Sequence, residues 1–330
     1  MKKLIHILFS SIAFCASIII LTSCGTSKKI ITIYSCSEDY RIAAMQEMLD
    51  KKFPDLEIII EYNATGDLAA KLLAEGENAG CDIIMDLENT YLEKFQNNLA
   101  TLDTVDFSVY VDELVPENHK YVPSERTSGV IAVNTKILEE KNIPVPASYE
   151  DLLKPEYKGL ISMPNPKTSS TGYMFLLSLI NTRGESEAFD YFDRLSENIS
   201  GEGFTTSSSG PIKALKLKEA AIGMCLTNHA VAEINNGADY QLIYFDEGAP
   251  SNIYSYAVIE GRQNDTDVMA VFSYIVSDFI PLDKELYVPE KIYKDKDYRL
   301  ENYPSDIKYA DMTGIADIEL KERLLDKWNY

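Results

Sequence analysis

The sequence predicts a layered α/β protein, on three observations: short apolar runs of β-type residues alternate with helical patterns, the turns between them share one polar composition, and the chain is long enough for two lobes. The eight candidate strands are Ile30–Tyr34, Glu57–Tyr62, Asp82–Met85, Val130–Asn134, Leu160–Met163, Ala221–Leu226, Gln241–Phe245 and Tyr254–Ile259. Between them, apolar residues recur every three to four positions: Ile42, Met45, Leu49 and Phe53, then Leu68, Leu72 and Leu73. Further stripes run through Phe175, Leu176, Leu179 and Ile180, and through Phe189, Phe192 and Leu195. Strands alternating with helices predict largely parallel sheets.

The turns that follow the strands carry more information. They are Ser35–Asp39, Asn63–Asp67, Asp86–Thr90, Pro164–Gly172 and Thr227–His229, joined by Thr205–Gly210 ahead of Pro211. Each holds Ser, Thr, Asn or Gly at a helix start, where such residues cap free N–H groups. In a parallel α/β sheet such turns share the carboxyl edge, where ligands bind. Helix starts with small hydroxyls make an anion site without needing arginine.

At the N-terminus, Lys2 and Lys3 precede an apolar stretch from Leu4 to Leu21, ending in Leu21-Thr22-Ser23-Cys24-Gly25. That is the pattern of a lipoprotein export signal over residues 1–23, with acylation of Cys24 and a short tether over residues 24–29. The expected location is therefore extracytoplasmic, lipid-anchored to a bacterial membrane. Cleavage would move the net charge from −21 to −23 and leave 307 residues. Such acidity excludes nucleic acid as a partner. Of five cysteines, Cys36, Cys81 and Cys225 would remain in the folded part, with no metal spacing and no evident disulfide framework.

Pro164-Asn165-Pro166 followed by Ser169-Ser170-Thr171-Gly172-Tyr173 resembles the D-P-x-x-S-G-T-G-Y segment of extracellular solute-binding proteins, with Asn165 and Ser170 in place of the usual Asp and Gly. Ile33-Tyr34-Ser35, Ala64-Thr65-Gly66-Asp67, Gly80-Cys81-Asp82-Ile83-Ile84, Glu219-Ala220-Ala221-Ile222-Gly223 and Asp246-Glu247-Gly248 are similar to further segments of that family, in the same order. The family is the type II periplasmic binding proteins serving ferric-iron, phosphonate and sugar-phosphate ABC importers. The resemblance implies a two-lobed fold with a hinge and an interlobe ligand cleft. Lobe 1 would comprise residues 30–125 plus 255–330, and lobe 2 residues 126–254. The chain would cross near Val122–Thr127 and return near Ser251–Tyr256, and a C-terminal helix over Ile315–Trp328 would pack on lobe 1 through Ile318, Leu320, Leu324 and Leu325. It further implies a monomer that delivers a solute, unchanged, to a membrane permease.

The same resemblance suggests which residues bind. Ser169, Ser170, Thr171 and Gly172 would cradle a phosphate or phosphonate, with Ser208 and Ser209 from another turn and Ser37 and Thr65 from the facing lobe. Asn228, His229 and Glu247 would hold the rest of the ligand, with Lys167 and Arg126 as charge partners. Acidic residues of lobe 1 (Glu38, Asp39, Asp67, Asp86, Glu88) admit a ligand amine, as in 2-aminoethylphosphonate. Ferric-binding members resemble one another in two adjacent tyrosines where this chain has Ala230 and Val231, which ligate nothing. Tyr254 and Tyr256 read as hinge or core packing. A ferric protein using a co-ligand anion, or a surface receptor without a transporter, remains an alternative. No G-x-S-x-G elbow or zinc-type histidine spacing occurs, so neither catalysis, a cofactor nor a resident metal is expected.

Overall fold

A computed structural model describes residues 28–330. The export signal, Cys24 and most of the tether lie outside the described residues. All eight expected strands form, in one continuous sheet. The first half holds β1 (Lys29–Ser35), α1 (Asp39–Lys52), β2 (Leu56–Tyr62), α2 (Thr65–Glu75), β3 (Ile83–Glu88) and α3 (Asn89–Phe95). The long β4 (Tyr121–Val133) leads to α4 (Thr135–Glu140), β5 (Ile161–Ser162), α5 (Ser170–Arg183), α6 (Glu185–Ser196) and α7 (Gly210–Lys216). Then come β6 (Ile222–Leu226), α8 (Thr227–Asn235), β7 (Gln241–Ile243) and β8 (Ser251–Val258). Helix α9 (Thr266–Tyr274) continues through a π-helical stretch into α10 (Ile280–Leu286), and α11 (Ile318–Asp326) closes the chain.

The strand order is β2-β1-β3-β8-β4-β6-β5, with β7 also on β4. β1–β2, β1–β3 and β5–β6 run parallel, whereas β3–β8, β4–β8, β4–β6 and β4–β7 are antiparallel. The sheet is thus less parallel than its strand–helix alternation suggests, because two crossing strands run against their neighbours. β4 starts nine residues earlier than the apolar run beginning at Val130. Its first part, through Ser124, Glu125, Arg126 and Thr127, is polar and carries no alternation, so only its ladder to β8 makes it a strand. Tyr121–Ser128 pair with β8, and Gly129–Val133 pair with β6. Gly129 sits at the changeover, where a Cβ would lie 2.9 Å from both Phe175 and Pro250. A side chain there would force Phe175 or Pro250 to shift.

Two large cores flank this crossing. One packs Ile31, Ile33, Met45, Leu49 and Ile83 against Val268, Val271 and Phe272. The other surrounds α5, whose residues from Ser170 to Leu179 are all buried, with Phe192, Leu195 and Met224. The C-terminal helix corrects an expectation. Its apolar face, Leu320, Leu324 and Leu325 with Trp328, packs into this second core beside Phe192 and Phe204, not into the first. Only its polar side meets the first half: Lys321 pairs with Glu88 at 2.8 Å, both buried, and just ahead of the helix Thr90 donates to the Ile315 carbonyl. The preceding segment also spans both halves, bridging Tyr110 through Tyr293 and Ala249 through Tyr309.

Candidate functional site

Residues from all six polar turns come together around one cavity of about 180 Å³. None of the helices that start there has a side-chain cap: α1, α2, α3, α5, α7 and α8 all lack one. By contrast Asn134, Asp265 and Asp317 cap α4, α9 and α11, away from the cavity. The small polar residues of the six turns are therefore not spent on satisfying helix ends.

One wall is made of hydroxyls. Ser169 and Ser208 share a hydrogen bond of 2.8 Å, Thr171 donates to the same Ser208 oxygen at 2.9 Å, and Ser170 meets the Tyr254 hydroxyl at 2.7 Å. Thr206, Ser207 and Ser209 extend this wall. The first turn of α5 begins at Ser170, so its unpaired N–H groups and positive dipole end belong to this side.

The facing wall is made of carboxylates around one guanidinium. Arg41, 2% exposed, donates to both oxygens of Asp283 (2.7 and 2.9 Å) and to Glu38 (3.2 Å). Its Nη2 also lies 2.9 Å from Glu125 and 3.5 Å from Asp86. Asp86 accepts from the Ser37 hydroxyl and, at 2.8 Å, from Ser124. Both Asp86 and Glu125 sit at breaks in strand register: β3 shifts between Ile84 and Leu87, and β4 between Pro123 and Glu125. Asp86 adopts a left-handed φ of 51°, which Asp tolerates better than most residues. Such bulges re-aim side chains beside binding sites. Burial pushes the Glu125 carboxyl up to about 8, with Asp86 and Asp283 adding to the rise and Arg41 opposing it.

The walls meet where His229 Nε2 lies 2.9 Å from Glu38 Oε1. Burial alone would raise the Glu38 carboxyl, but the His229 hydrogen bond and Arg41 outweigh it and hold it well below the usual range. Several buried polar atoms of this cavity have no partner: Thr127 Oγ1, His229 Nδ1 and both amide atoms of Asn228. Asn228 is 5% exposed.

Most of the sequence-predicted binding residues line this space: Ser37 and Thr65 from the first half, Ser169, Ser170, Ser208 and Ser209 on the hydroxyl wall, and Asn228 and His229 at α8. Three do not. Thr171 is fully buried behind Ser208. Gly172 is there for packing, since a Cβ would sit 2.5 Å from the Pro164 carbonyl oxygen. Glu247 pairs with Arg183 at 3.0 Å outside the cavity. The expected charge partners are elsewhere too: Arg126 pairs with Glu113 and lies over the Tyr309 ring, and Lys167 is exposed. Asp39 and Asp67 are exposed, and Glu88 is tied to Lys321 and Asn252.

Sequence reasoning missed Arg41, Glu125 and Thr127. For Arg41 a signal existed: the buried residues of α1 are Arg41, Met45 and Leu49, so a charge stands on the apolar stripe one turn before Met45. Tyr254, read as packing, does pack on β8 but also turns its hydroxyl into the cavity. Ala230 and Val231 are fully buried. Cys36, Cys81 and Cys225 are free thiols, and among the described residues no cluster of His, Cys, Asp or Glu is arranged to hold a metal ion.

The sequence model of bacterial extracellular solute-binding proteins matches residues 81–280. The chain belongs to that family. Its curated relatives include an uncharacterized protein of Haemophilus influenzae, 26% identical over 263 residues (77% of this chain, 75% of that one). Another is the phosphoglycerate transport regulatory protein PgtC of Salmonella typhimurium, 24% identical over 68% of this chain and 56% of that one. Among solved structures, the periplasmic binding protein P5PA superposes with a TM-score of 0.78 at 20% identity, covering 91% of this chain and 98% of its own. Fructose-6-phosphate-bound AfuA of Actinobacillus pleuropneumoniae gives 0.78 at 20% identity, over 92% and 98%. Iron-bound HitA of Pseudomonas aeruginosa gives 0.76 at 18%, over 90% and 98%. This solute-binding protein thus has the two-lobed periplasmic-binding-protein fold, and its family places it outside the cytoplasm. No helix among its described residues is long and apolar enough to cross a membrane.

Proposed function

We propose that this solute-binding protein is the lipid-anchored receptor of an ABC importer, holding a small organic anion, a phosphonate or a sugar phosphate, between its two lobes. Residues 30–125 with the chain from 255 form one lobe and 126–254 the other, with the last twenty residues acting as a strap across both. Acyl chains on Cys24 would hold the protein at the membrane surface. The observation that carries the reading is the set of orphaned buried atoms around the cavity, above all both amide atoms of Asn228. A buried polar group without a partner costs about 1–3 kcal/mol, so a site that keeps several is built for something that pairs with them. The hydroxyl wall and the start of α5 supply donors for phosphoryl oxygens. Direct ferric coordination has less support, because Ala230 and Val231, both fully buried, offer no oxygen ligand.

The test is a thermal-shift screen of Gly25–Tyr330, dialysed free of ligand, with 2-aminoethylphosphonate, glucose 6-phosphate, fructose 6-phosphate, inorganic phosphate and Fe(III) with and without citrate. A ligand at one hundred times its Kd stabilises by about 2.7 kcal/mol. One organophosphate should raise the melting temperature, and Ser169→Ala or Asn228→Ala should abolish the rise. A rise with Fe(III) alone would overturn the reading.

A further inference from the structure

The two walls of the cavity differ in charge as well as chemistry. Glu38, Asp86 and Glu125 line it, and the one guanidinium or ammonium among its lining residues is Arg41. That guanidinium has little left to give a ligand: two of its nitrogens hold Asp283, a third holds Glu38, and the Nη2 that also faces Glu125 and Asp86 is shared among three acids. The bulges in β3 and β4 bring Asp86 and Glu125 to the same guanidinium, so the crowding of acids around one cation is built into the backbone. Independently, Asn228, more than nine-tenths buried, offers an unused carbonyl oxygen beside its unused amide N–H, and the Thr127 hydroxyl, able to donate or accept, is unpaired too. That carbonyl oxygen is an acceptor, and an anion alone cannot satisfy it.

Resting on the anion reading above, we propose that the carboxylate wall is a cation subsite, and that the transported solute is a zwitterion bearing an amine as well as a phosphoryl group. The ammonium pairs with Glu125 and Asp86 while the phosphoryl oxygens take the serine wall and the start of α5. Burial leaves Glu125 holding a proton near neutral pH. The groups facing it are Arg41, Glu38 and Tyr40 at α1, Asp86 on β3, Tyr254 and Tyr256 on β8, and Asp283 and Lys284 on α10. An arriving ammonium replaces the proton, which leaves to the buffer while the carboxylate stays.

Matched ligand pairs test this by calorimetry on Gly25–Tyr330: 2-aminoethylphosphonate against ethylphosphonate, and glucosamine 6-phosphate against glucose 6-phosphate, with ethylamine as the cation alone. In whichever pair binds, the amine-bearing member should bind about tenfold to a hundredfold tighter, the range for a charge-assisted hydrogen bond. Its binding heat at pH 7 should vary with the buffer's ionisation heat, as proton release requires. Glu125→Gln should collapse the preference to less than about threefold. If that variant does not fold, Asp86→Asn and the wild-type pairs still decide. Equal affinity within a pair overturns the cation subsite and leaves the anion reading intact. If no phosphoryl compound binds, or ethylamine binds as tightly as the zwitterion, the anion reading falls and the inference falls with it.

Discussion

The two walls of the cavity solve the problem of burying polar groups in different ways. The hydroxyl wall is neutral: Ser169, Thr171 and Ser208 pair among themselves, and no hydroxyl there needs a long-range partner to balance charge. The carboxylate wall is charged, and its acids are balanced by Arg41 and by Lys284, whose amine is fully buried and donates to the Val288 carbonyl. Burial lowers the Lys284 pKa, although Glu125 and Asp283 oppose that shift. A neutral wall is cheap to maintain and can be tuned one hydroxyl at a time. A charged wall stands or falls with its counter-ion, because an uncompensated buried carboxylate costs several kcal/mol.

Arg41→Met should break the contrast most severely. It strips Asp283, Glu125, Asp86 and Glu38 of their shared cation and should destabilise the protein by about 3–5 kcal/mol, read from urea denaturation. A variant melting within a degree or two of wild type would mean that the wall is not charged as described.

The next effect is pH dependence. Glu125 binds its proton more tightly in the folded state, up to about 8, than in the unfolded chain, where a glutamate titrates near 4.3. Its contribution to stability is full below the unfolded value and is lost as pH rises through about 8, on the order of a few kcal/mol. Glu125→Gln should flatten that slope, whereas a variant of the hydroxyl wall should leave it in place. Glu38 works in the opposite sense, its contribution being present above the ordinary carboxylate range and lost on acidification.

On the neutral wall, Ser208→Ala removes the oxygen that Ser169 and Thr171 both engage and should cost about 1 kcal/mol of stability. The smallest effect belongs to Glu247→Ala, outside both walls. Losing its pair with Arg183 should cost no more than about 1 kcal/mol and leave ligand-induced thermal shifts unchanged. Lost ligand response there would return Glu247 to the site.

The strands, the helices and the six polar turns were legible because each is a local pattern: apolar alternation, helical spacing, and small polar residues at helix starts. The sequence alone therefore determined the fold class, the family and the edge at which the cavity lies. Tertiary structure decided what a local pattern cannot hold. Asp283 lies 242 residues from the Arg41 it neutralises, and no spacing rule connects them. Polar β4 became a strand only by pairing with β8. The C-terminal helix shows apolar residues that any core would accept, and only the packing of Trp328 against Phe192 and Phe204 chose the second core. Side-chain chemistry is written residue by residue. Which charges face one another is set by how distant segments pack.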